Sequence, residues 1–375
     1  MATPPRLNDK QRISWLRLIR TPNVGPATFR DLINRFGSAE AAIEMLPELM
    51  ISGGAQRIVR VPSIGEAEVE LEAAAKVGAS LVAIGEADYP AMLRRMDQPP
   101  PILAIKGQPA VFNLPPVAIV GARNASLAGI KMARILAGDL GKAGYAIISG
   151  LARGIDAAAH KGALSTGTVA VLAGGLDRPY PPENLDLYDE MAAGSGAVVS
   201  EMPFGHEPRA QDFPRRNRLI AGLSLGLVVV EAAKRSGSLI SARLAGEMGR
   251  LVFAVPGSPL DPRAAGANGL LKDGAILVTE ATDVEIHLAP LIGAPAPQRQ
   301  QLEEPPDFSS SPPPRDNDRA RLIEALGPTP TSIDELIRHT GLHPAQVFMI
   351  LLELDLAGRL ERHSGGAVSL VDGEF

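Results

Sequence analysis

Seven continuous apolar runs alternate with helical patterns between Val117 and Leu288, and this alternation limits the fold more than any other feature. In chain order the runs read V-A-I-V, Y-A-I-I-S, V-A-V-L-A, A-V-V-S-E, G-L-V-V-V-E, L-V-F-A-V and A-I-L-V. Strands that are apolar on both faces are typical of a parallel sheet covered by helices. The helical segments between them have the length that right-handed crossovers need. The sequence therefore predicts a doubly wound, mainly parallel α/β sheet.

The first of these strands runs into a turn and then into a helical pattern that starts at Ser126. Gly121, Ala122 and Arg123 occupy the turn. The N–H groups at a helix N-terminus attract phosphate, and a guanidinium group can clamp one. The loop lacks the G-x-G-x-x-G spacing of a dinucleotide site, so we predict a phosphate-binding loop, with an ordinary strand-to-helix turn as the alternative.

Other strands of this sheet also end in loops rich in glycine, hydroxyl groups and arginine. Ligands of doubly wound sheets gather at the carboxyl ends of the strands, so these loops are expected to lie close together. The candidate phosphate-contacting residues of all the loops are Gly121, Ala122, Arg123, Ser149, Gly150, Arg153, Ser236, Gly237 and Ser238.

The segment Phe213–Arg218 reads F-P-R-R-N-R and carries the densest positive charge. Arg215 and Arg218 are three residues apart and share one face of a helix, whereas Arg216 points elsewhere and is expected to be structural. Phe213 beside them would offer a platform for an unpaired base, which is the chemistry of single-strand binding. The alternative is that Phe213 belongs to the core and one arginine pairs with an internal carboxylate.

The composition and the residue patterns divide the chain into four predicted segments. Residues 9–77 form a helical domain whose stretch T-P-N-V-G-P-A-T resembles a helix-hairpin-helix or SAM-like module, with a glycine turn that either contacts a DNA phosphate or serves packing alone. Residues 78–292 form the α/β domain, in which the short strands L-V-A-I-G and I-L-A-I-K-G extend one edge of the sheet. Residues 293–317 form a Pro/Ser-rich linker that is expected to be extended or disordered. Residues 318–375 form a winged-helix domain.

The third helix of that winged-helix domain lacks the charge of a DNA-reading helix. It has no lysine or arginine between His343 and Ala357, and it carries Glu353 and Asp355. A helix that enters a DNA groove needs basic or amide side chains. The charge pattern therefore favours a structural or protein-binding role for this domain over duplex recognition.

Composition excludes several function classes. The net charge of −5 gives no global sign of nucleic-acid binding, so any anion site must be local. The chain has no cysteine, which rules out disulfides and thiolate chemistry and suits the reducing cytoplasm. No apolar run approaches the ~18 residues of a membrane span, and the N-terminus lacks a signal-peptide pattern. Neither a Walker A lysine motif nor H-E-x-x-H spacing is present, so no cofactor or metal is expected.

The ordered motifs V-A-I-V-G-A-R, I-I-S-G-L-A-R-G-I-D-A-A-A-H-K-G-A-L, V-L-A-G-G-L-D-R-P-Y-P-P-E-N, F-P-R-R-N-R-L-I-A-G-L-S and V-F-A-V-P-G resemble the bacterial DNA-processing protein A (DprA/Smf) family over Val117–Leu277. The resemblance implies a Rossmann-like core that binds single-stranded DNA, forms a homodimer and loads the RecA recombinase during natural transformation. It also implies DNA contacts by Gly121, Arg123, Phe213, Arg215 and Arg218. Ala122 stands where this family commonly has a serine, so one hydroxyl group is missing.

An enzyme is the competing hypothesis. Rossmann-like phosphoribohydrolases that act on nucleoside monophosphates also use a glycine turn with a nearby acid, and Glu201 and Glu231 lie near strand ends. However, their P-G-G-x-G-T-x-x-E signature is absent, and the corresponding segment reads S-G-S-L-I-S-A. The sequence therefore predicts a cytoplasmic binding protein rather than an enzyme.

Overall fold

The computed structural model describes residues 6–292 and 314–371, which form two compact units. Residues 68–292 make up the α/β unit, and residues 7–67 together with 314–371 make up the helical unit. The helices of the described residues are α1 Asp9–Ile19, α2 Pro26–Phe36, α3 Ala39–Ser52, α4 Ile64–Lys76, α5 Ala91–Arg94, α6 Leu127–Lys142, α7 Ile155–Ala163, α8 Leu185–Ala193, α9 Asp212–Gly222, α10 Gly237–Glu247, α11 Ala265–Lys272, α12 Ala281–Leu288, α13 Asp316–Ala325, α14 Ile333–Thr340 and α15 Pro344–Leu356. The strands are β1 Ala79–Ala83, β2 Ile102–Gly107, β3 Pro116–Val120, β4 Ala146–Ser149, β5 Thr168–Val171, β6 Ala197–Ser200, β7 Gly226–Val229, β8 Leu251–Ala254, β9 Ile276–Leu277, β10 Thr331–Ser332, β11 Leu360–Arg362 and β12 Ala367–Leu370.

The α/β unit is built on a nine-stranded sheet with the order β1-β2-β6-β5-β4-β3-β7-β8-β9. All pairings from β6 to β9 in this order are parallel, which confirms the predicted doubly wound sheet. Successive residues of β3 serve opposite cores. Ala118 and Val120 join the apolar cluster on one face, and Val117 and Ile119 join the cluster on the other. Burial on both faces explains why the strand sequences are continuously apolar.

The sheet gains two antiparallel strands at one edge. β2 pairs with β6, with Ala104 opposite Ser200, and β1 then pairs with β2. These are the two short strands that the sequence assigns to an edge extension. They cover the backbone of β6, which would otherwise lie at the sheet edge.

The strand order changes direction beside β3, because β4 lies on one side of β3 and β7 on the other. Loops that leave the carboxyl ends of β3 and β7 diverge at this point and leave a crevice between them. The turn Gly121–Ser126 follows β3, and the segment Val230–Ser236 follows β7. The topology therefore places the turn after β3 and the loop that leads into α10 on either side of one opening.

The helical unit contains the predicted winged helix: α13, α14 and α15 with a three-stranded sheet of order β10-β12-β11. Ser332 caps α14 by accepting a hydrogen bond from the N–H of Glu335. The N-terminal helices α1–α3 pack into this same unit, a grouping that the sequence does not predict. The predicted linker lies outside the described residues up to residue 313. No described helix is both long and apolar enough to span a bilayer.

Candidate nucleic-acid interface

A cavity of about 690 Å³ opens in the crevice beside β3 and β7. Three segments line it: the turn after β3, the first half of α9 and the start of α10. The predicted site residues that line the cavity are Gly121, Ala122, Arg123, Phe213, Ser236, Gly237 and Ser238. The fold thus brings together residues that are more than a hundred positions apart in the sequence.

Arg123 and Phe213 both line this cavity and contact each other. The guanidinium carbon of Arg123 lies 5.1 Å from the centroid of the Phe213 ring, within the range of a cation–π contact. Arg123 is exposed and Phe213 is half-buried, so both groups reach the surface. A cation stacked on an accessible ring offers one group to a phosphate and a second to a base.

Phe213 also borders a second, smaller recess. This recess is lined by Arg123, Gly150, Arg153 and Tyr180, and the Tyr180 ring lies edge-on to Phe213 at 5.9 Å between centroids. Tyr180 is exposed, and sequence reasoning did not select it, although it lies in the R-P-Y-P-P-E-N motif. The aromatic pair of Tyr180 and Phe213 therefore lines the smaller recess, and Phe213 also lines the main cavity.

The N-terminus of α10 supplies hydroxyl groups to the cavity wall. Ser236 caps the helix, and its Oγ lies 2.7 Å from the Oγ of Ser238. Arg235 and Arg263 also line the cavity, and Arg263 pairs with Asp261 at 2.8 Å. The positive end of the helix dipole and the exposed Arg235 make this part of the cavity attractive to an anion.

The start of α6 differs from the predicted phosphate loop. The backbone N–H and the hydroxyl of Ser126 both donate to the carboxylate of Glu231, the former at 2.9 Å, and the Ser126 hydroxyl accepts from the N–H of Gly129. The chain's own carboxylate therefore occupies the anion position at this helix end. In the β3 turn, the N-terminus of α6 is therefore closed to an outside anion, whereas the side chain of Arg123 remains exposed.

Arg216 is buried in the lining of the cavity and is held there by the protein backbone, which agrees with its predicted structural role. Its guanidinium donates to the carbonyl oxygens of Gly150, at 2.6 Å, and Val171. A Cβ on Gly150 would lie 2.4 Å from Nη1 of Arg216, so only glycine allows this approach. The Asp156 carboxylate accepts from the N–H groups of Gly150 and Ala152. Burial raises the pKa of Asp156 and lowers the pKa of Arg216 to about 10.

Arg215 and Arg218 share a face of α9, as their spacing predicts, but that face meets Glu201. Nε of Arg215 lies 3.2 Å from Oε1 of Glu201, and Nη2 of Arg218 contacts Oε2. Neither arginine lines the cavity at Arg123. The cavity is lined instead by Asn217, which sequence reasoning did not select although it lies in the F-P-R-R-N-R motif.

Two other predicted residues lie apart from the main cavity. Ser149 is fully buried, and its hydroxyl donates to the carbonyl of Ile119 at 2.6 Å, so this side chain ties β4 to β3 and does not face solvent. Arg153 is exposed beside the smaller recess and lies 3.5 Å from Glu183. An exposed pair of this kind is worth little energy, so Arg153 can exchange Glu183 for another anion.

His160 belongs to the buried layer beneath the site. Its Nδ1 lies 2.7 Å from the hydroxyl of Thr168, which donates its only proton to the carbonyl of Ile147. Nδ1 of His160 must therefore carry the proton, and the buried Nε2 lacks a hydrogen-bond partner among the described residues. Burial and the charge of Arg216 lower the pKa of His160 to about 3.

Because the pKa of His160 is lowered in the folded chain, the stability of the protein should depend on pH. Between pH 6.5 and about 3 the unfolded chain binds a proton at residue 160 that the folded chain does not, so stability falls with falling pH in that window. Linkage gives a loss of about 1 kcal/mol between pH ~6.5 and ~5.5. The free energy of urea unfolding of the wild type should fall by this amount over the same pH interval, relative to that of His160→Gln. This variant keeps a hydrogen-bond donor but does not titrate. Parallel profiles would contradict the buried neutral tautomer.

Three segments of the sequence match models of known protein families. The family model for DNA recombination-mediator protein A matches residues 80–289, and those for the DprA-like N-terminal HHH domain and the DprA winged helix domain match residues 9–73 and 304–366. The chain belongs to the DNA-processing protein A family.

Individual relatives of this DprA-family chain cover most of its length. Protein Smf of Escherichia coli is 38% identical over 293 residues, 75% of each chain. A putative DNA processing protein DprA of Mycobacterium tuberculosis is 34% identical over 95% of this chain and 94% of its own. The solved DprA of Streptococcus pneumoniae has a TM-score of 0.57 at 33% identity, covering 75% of this chain and 93% of its own. DNA processing protein A of Helicobacter pylori, solved for its single-stranded DNA binding mode, has a TM-score of 0.52 at 29% identity, covering 56% and 96%.

Proposed function

We propose that this chain binds single-stranded DNA across the face formed by Arg123 and Phe213. The observation that carries the proposal is the accessible cation–aromatic stack that lines the cavity together with the N-terminus of α10. Stacking on an aromatic ring needs an unpaired base, because the bases of a duplex are already stacked on each other. The guanidinium and the hydroxyl-rich wall hold the phosphates that flank this base.

The wider role follows from the family and remains part of the proposal. A protein that protects incoming DNA during natural transformation and loads RecA onto it must bind single strands of every sequence. Phosphate contacts and base stacking allow this, because neither reads base edges. We propose that the chain acts as a homodimer in the cytoplasm, where such strands and the recombinase meet.

We further propose that the chain is not an enzyme. A phosphoribohydrolase mechanism could use two carboxylates, and both are engaged with protein groups. Glu201 pairs with Arg215 and Arg218, and Glu231 accepts a hydrogen bond from the N–H of Ser126. A general base must be within reach of its substrate proton, and both groups are turned to protein partners. Incubation with nucleoside monophosphates should release no free base, and release of base would favour the hydrolase.

The direct test compares single-stranded with blunt duplex DNA by fluorescence anisotropy over a salt series. We expect the single strand to bind more tightly, with log affinity falling by about 0.7 per log unit of salt for each phosphate contact. Equal affinity for the two forms would contradict a site built around an unpaired base.

A further inference from the structure

The third helix of the winged-helix domain, α15, lies between two apolar clusters of the helical unit. Val347, Ile350 and Leu354 pack within the winged helix itself. Met349 and Leu352, together with Leu356, pack with buried residues of α1, α2 and α3. Nine of the thirteen residues of α15 are buried. The helix that enters the groove in a helix-turn-helix protein is therefore engaged along both of its faces.

The C-terminal end of α15 meets the glycine turn before α2. The side-chain amide of Asn23 donates to the carbonyl of Leu356 at 3.0 Å, and the hydroxyl of Thr28 donates to Asp355 at 2.8 Å. Arg362 bridges the two segments by pairing with Asp355 at 2.8 Å and with Asp31 at 3.0 Å. A carboxylate and a polar network of the C-terminal domain thus lie against the first turn of α2.

The closest approach is at Gly53, directly after α3. A Cβ on Gly53 would lie 2.0 Å from the carbonyl oxygen of Glu353, and Arg359 donates to the carbonyl of Gly53 at 3.2 Å. The φ angle of Gly53 is −75°, which suits any residue. The glycine is therefore required for contact with α15 and not for the conformation of the N-terminal segment.

We propose that the winged-helix domain is an intramolecular cover that closes the N-terminal hairpin to nucleic acid. In the closed state, an apolar contact and a carboxylate occupy the side of the hairpin on which helix-hairpin-helix modules hold a DNA phosphate. Opening the contact withdraws Asp355 from the Thr28 hydroxyl and exposes the first turn of α2, where this hydroxyl and the backbone N–H groups can then contact a phosphate. The device lies in the helical unit and is independent of the site at Arg123.

The test uses the full chain with Gly53→Ala, a wedge against Glu353, and Gly65→Ala as the matched control. A Cβ on Gly65 would meet nothing within 4 Å. Hydrogen exchange of the α15 amides reports opening, and anisotropy with a blunt duplex reports binding. We expect Gly53→Ala to exchange faster and to bind duplex about tenfold more tightly, the effect of one hydrogen bond to a charged group. Gly65→Ala should change neither quantity.

Several outcomes overturn the proposal. Faster exchange without a gain in duplex affinity shows that the contact is packing only, and unchanged exchange shows that α15 is not held at Gly53. The gain must also persist when Arg123 is replaced by alanine, because a gain that disappears belongs to the α/β unit. Trp15, the chain's single tryptophan, packs in this unit, and its fluorescence monitors folding. Should Gly53→Ala lose that signal, Met349→Gln opens the contact from the other side under the same criteria, without adding a charge that would itself attract duplex DNA.

Discussion

Replacing Arg216 with methionine should destabilise the α/β unit by about 3–5 kcal/mol, the combined cost of two buried carbonyl groups left without a donor and a buried carboxylate left without a nearby positive charge. The change leaves the buried Asp156 without its largest favourable charge, and it leaves the carbonyl groups of Gly150 and Val171 without donors. The expected loss is large because these groups are buried polar groups that would be left without a hydrogen-bond or charge partner.

The matched control is Arg215→Met, the same change one residue earlier on the outer face of α9. The side chain of Arg215 is 52% exposed, and Glu201 keeps Arg218 as a partner, so we expect a loss below about 1 kcal/mol. All four tyrosines lie in the α/β unit, so the tyrosine signal during urea unfolding reports this unit alone. Equal losses for the two variants would contradict the buried role of Arg216.

Replacing Arg123 with alanine should produce the largest loss of single-strand affinity among substitutions that leave the fold intact. Arg123 is exposed and its contact within the fold is the cation–π contact with Phe213, so its removal should lower the free energy of unfolding by only about 1 kcal/mol or less. Loss of a hydrogen bond to a charged group weakens binding by about 1.5–3 kcal/mol, roughly 10- to 150-fold. Because a phosphate contact reads no base, the loss should be the same for all sequences.

The local parts of this fold are predictable from sequence because their causes are local. The continuous apolar strands from Val117 onward predict a sheet that is buried on both faces, and the structure confirms it. The spacing within F-P-R-R-N-R correctly separates Arg216 from the face of Arg215 and Arg218. Helical periodicity alone gives that separation.

What each face meets could not be read from the sequence, because the partners are distant along the chain. Glu201, which follows β6, meets Arg215 and Arg218 only after the sheet has formed. Glu231 reaches Ser126 across 105 positions and takes the helix end that the sequence offers to phosphate. The contact between Thr28 and Asp355 spans 327 positions. The lack of basic side chains predicts that α15 does not recognise duplex DNA. Only the structure shows that α15 packs against the N-terminal helices instead.

The central claim is that single-stranded DNA lies across the Arg123–Phe213 face, and the salt dependence of binding tests it most directly. The measurement is the slope of log affinity against log salt for the wild type, Arg123→Ala, Phe213→Ala and Arg243→Ala. Arg243 is an exposed arginine on α10 that pairs with Glu247 and does not line the cavity, so it controls for net charge. The account predicts that Arg123→Ala flattens the slope by about 0.7, whereas Phe213→Ala lowers affinity by about 1–3 kcal/mol at an unchanged slope and Arg243→Ala changes neither quantity. An Arg123→Ala slope equal to that of the wild type, with full affinity retained by Phe213→Ala, would place the DNA elsewhere on the molecule.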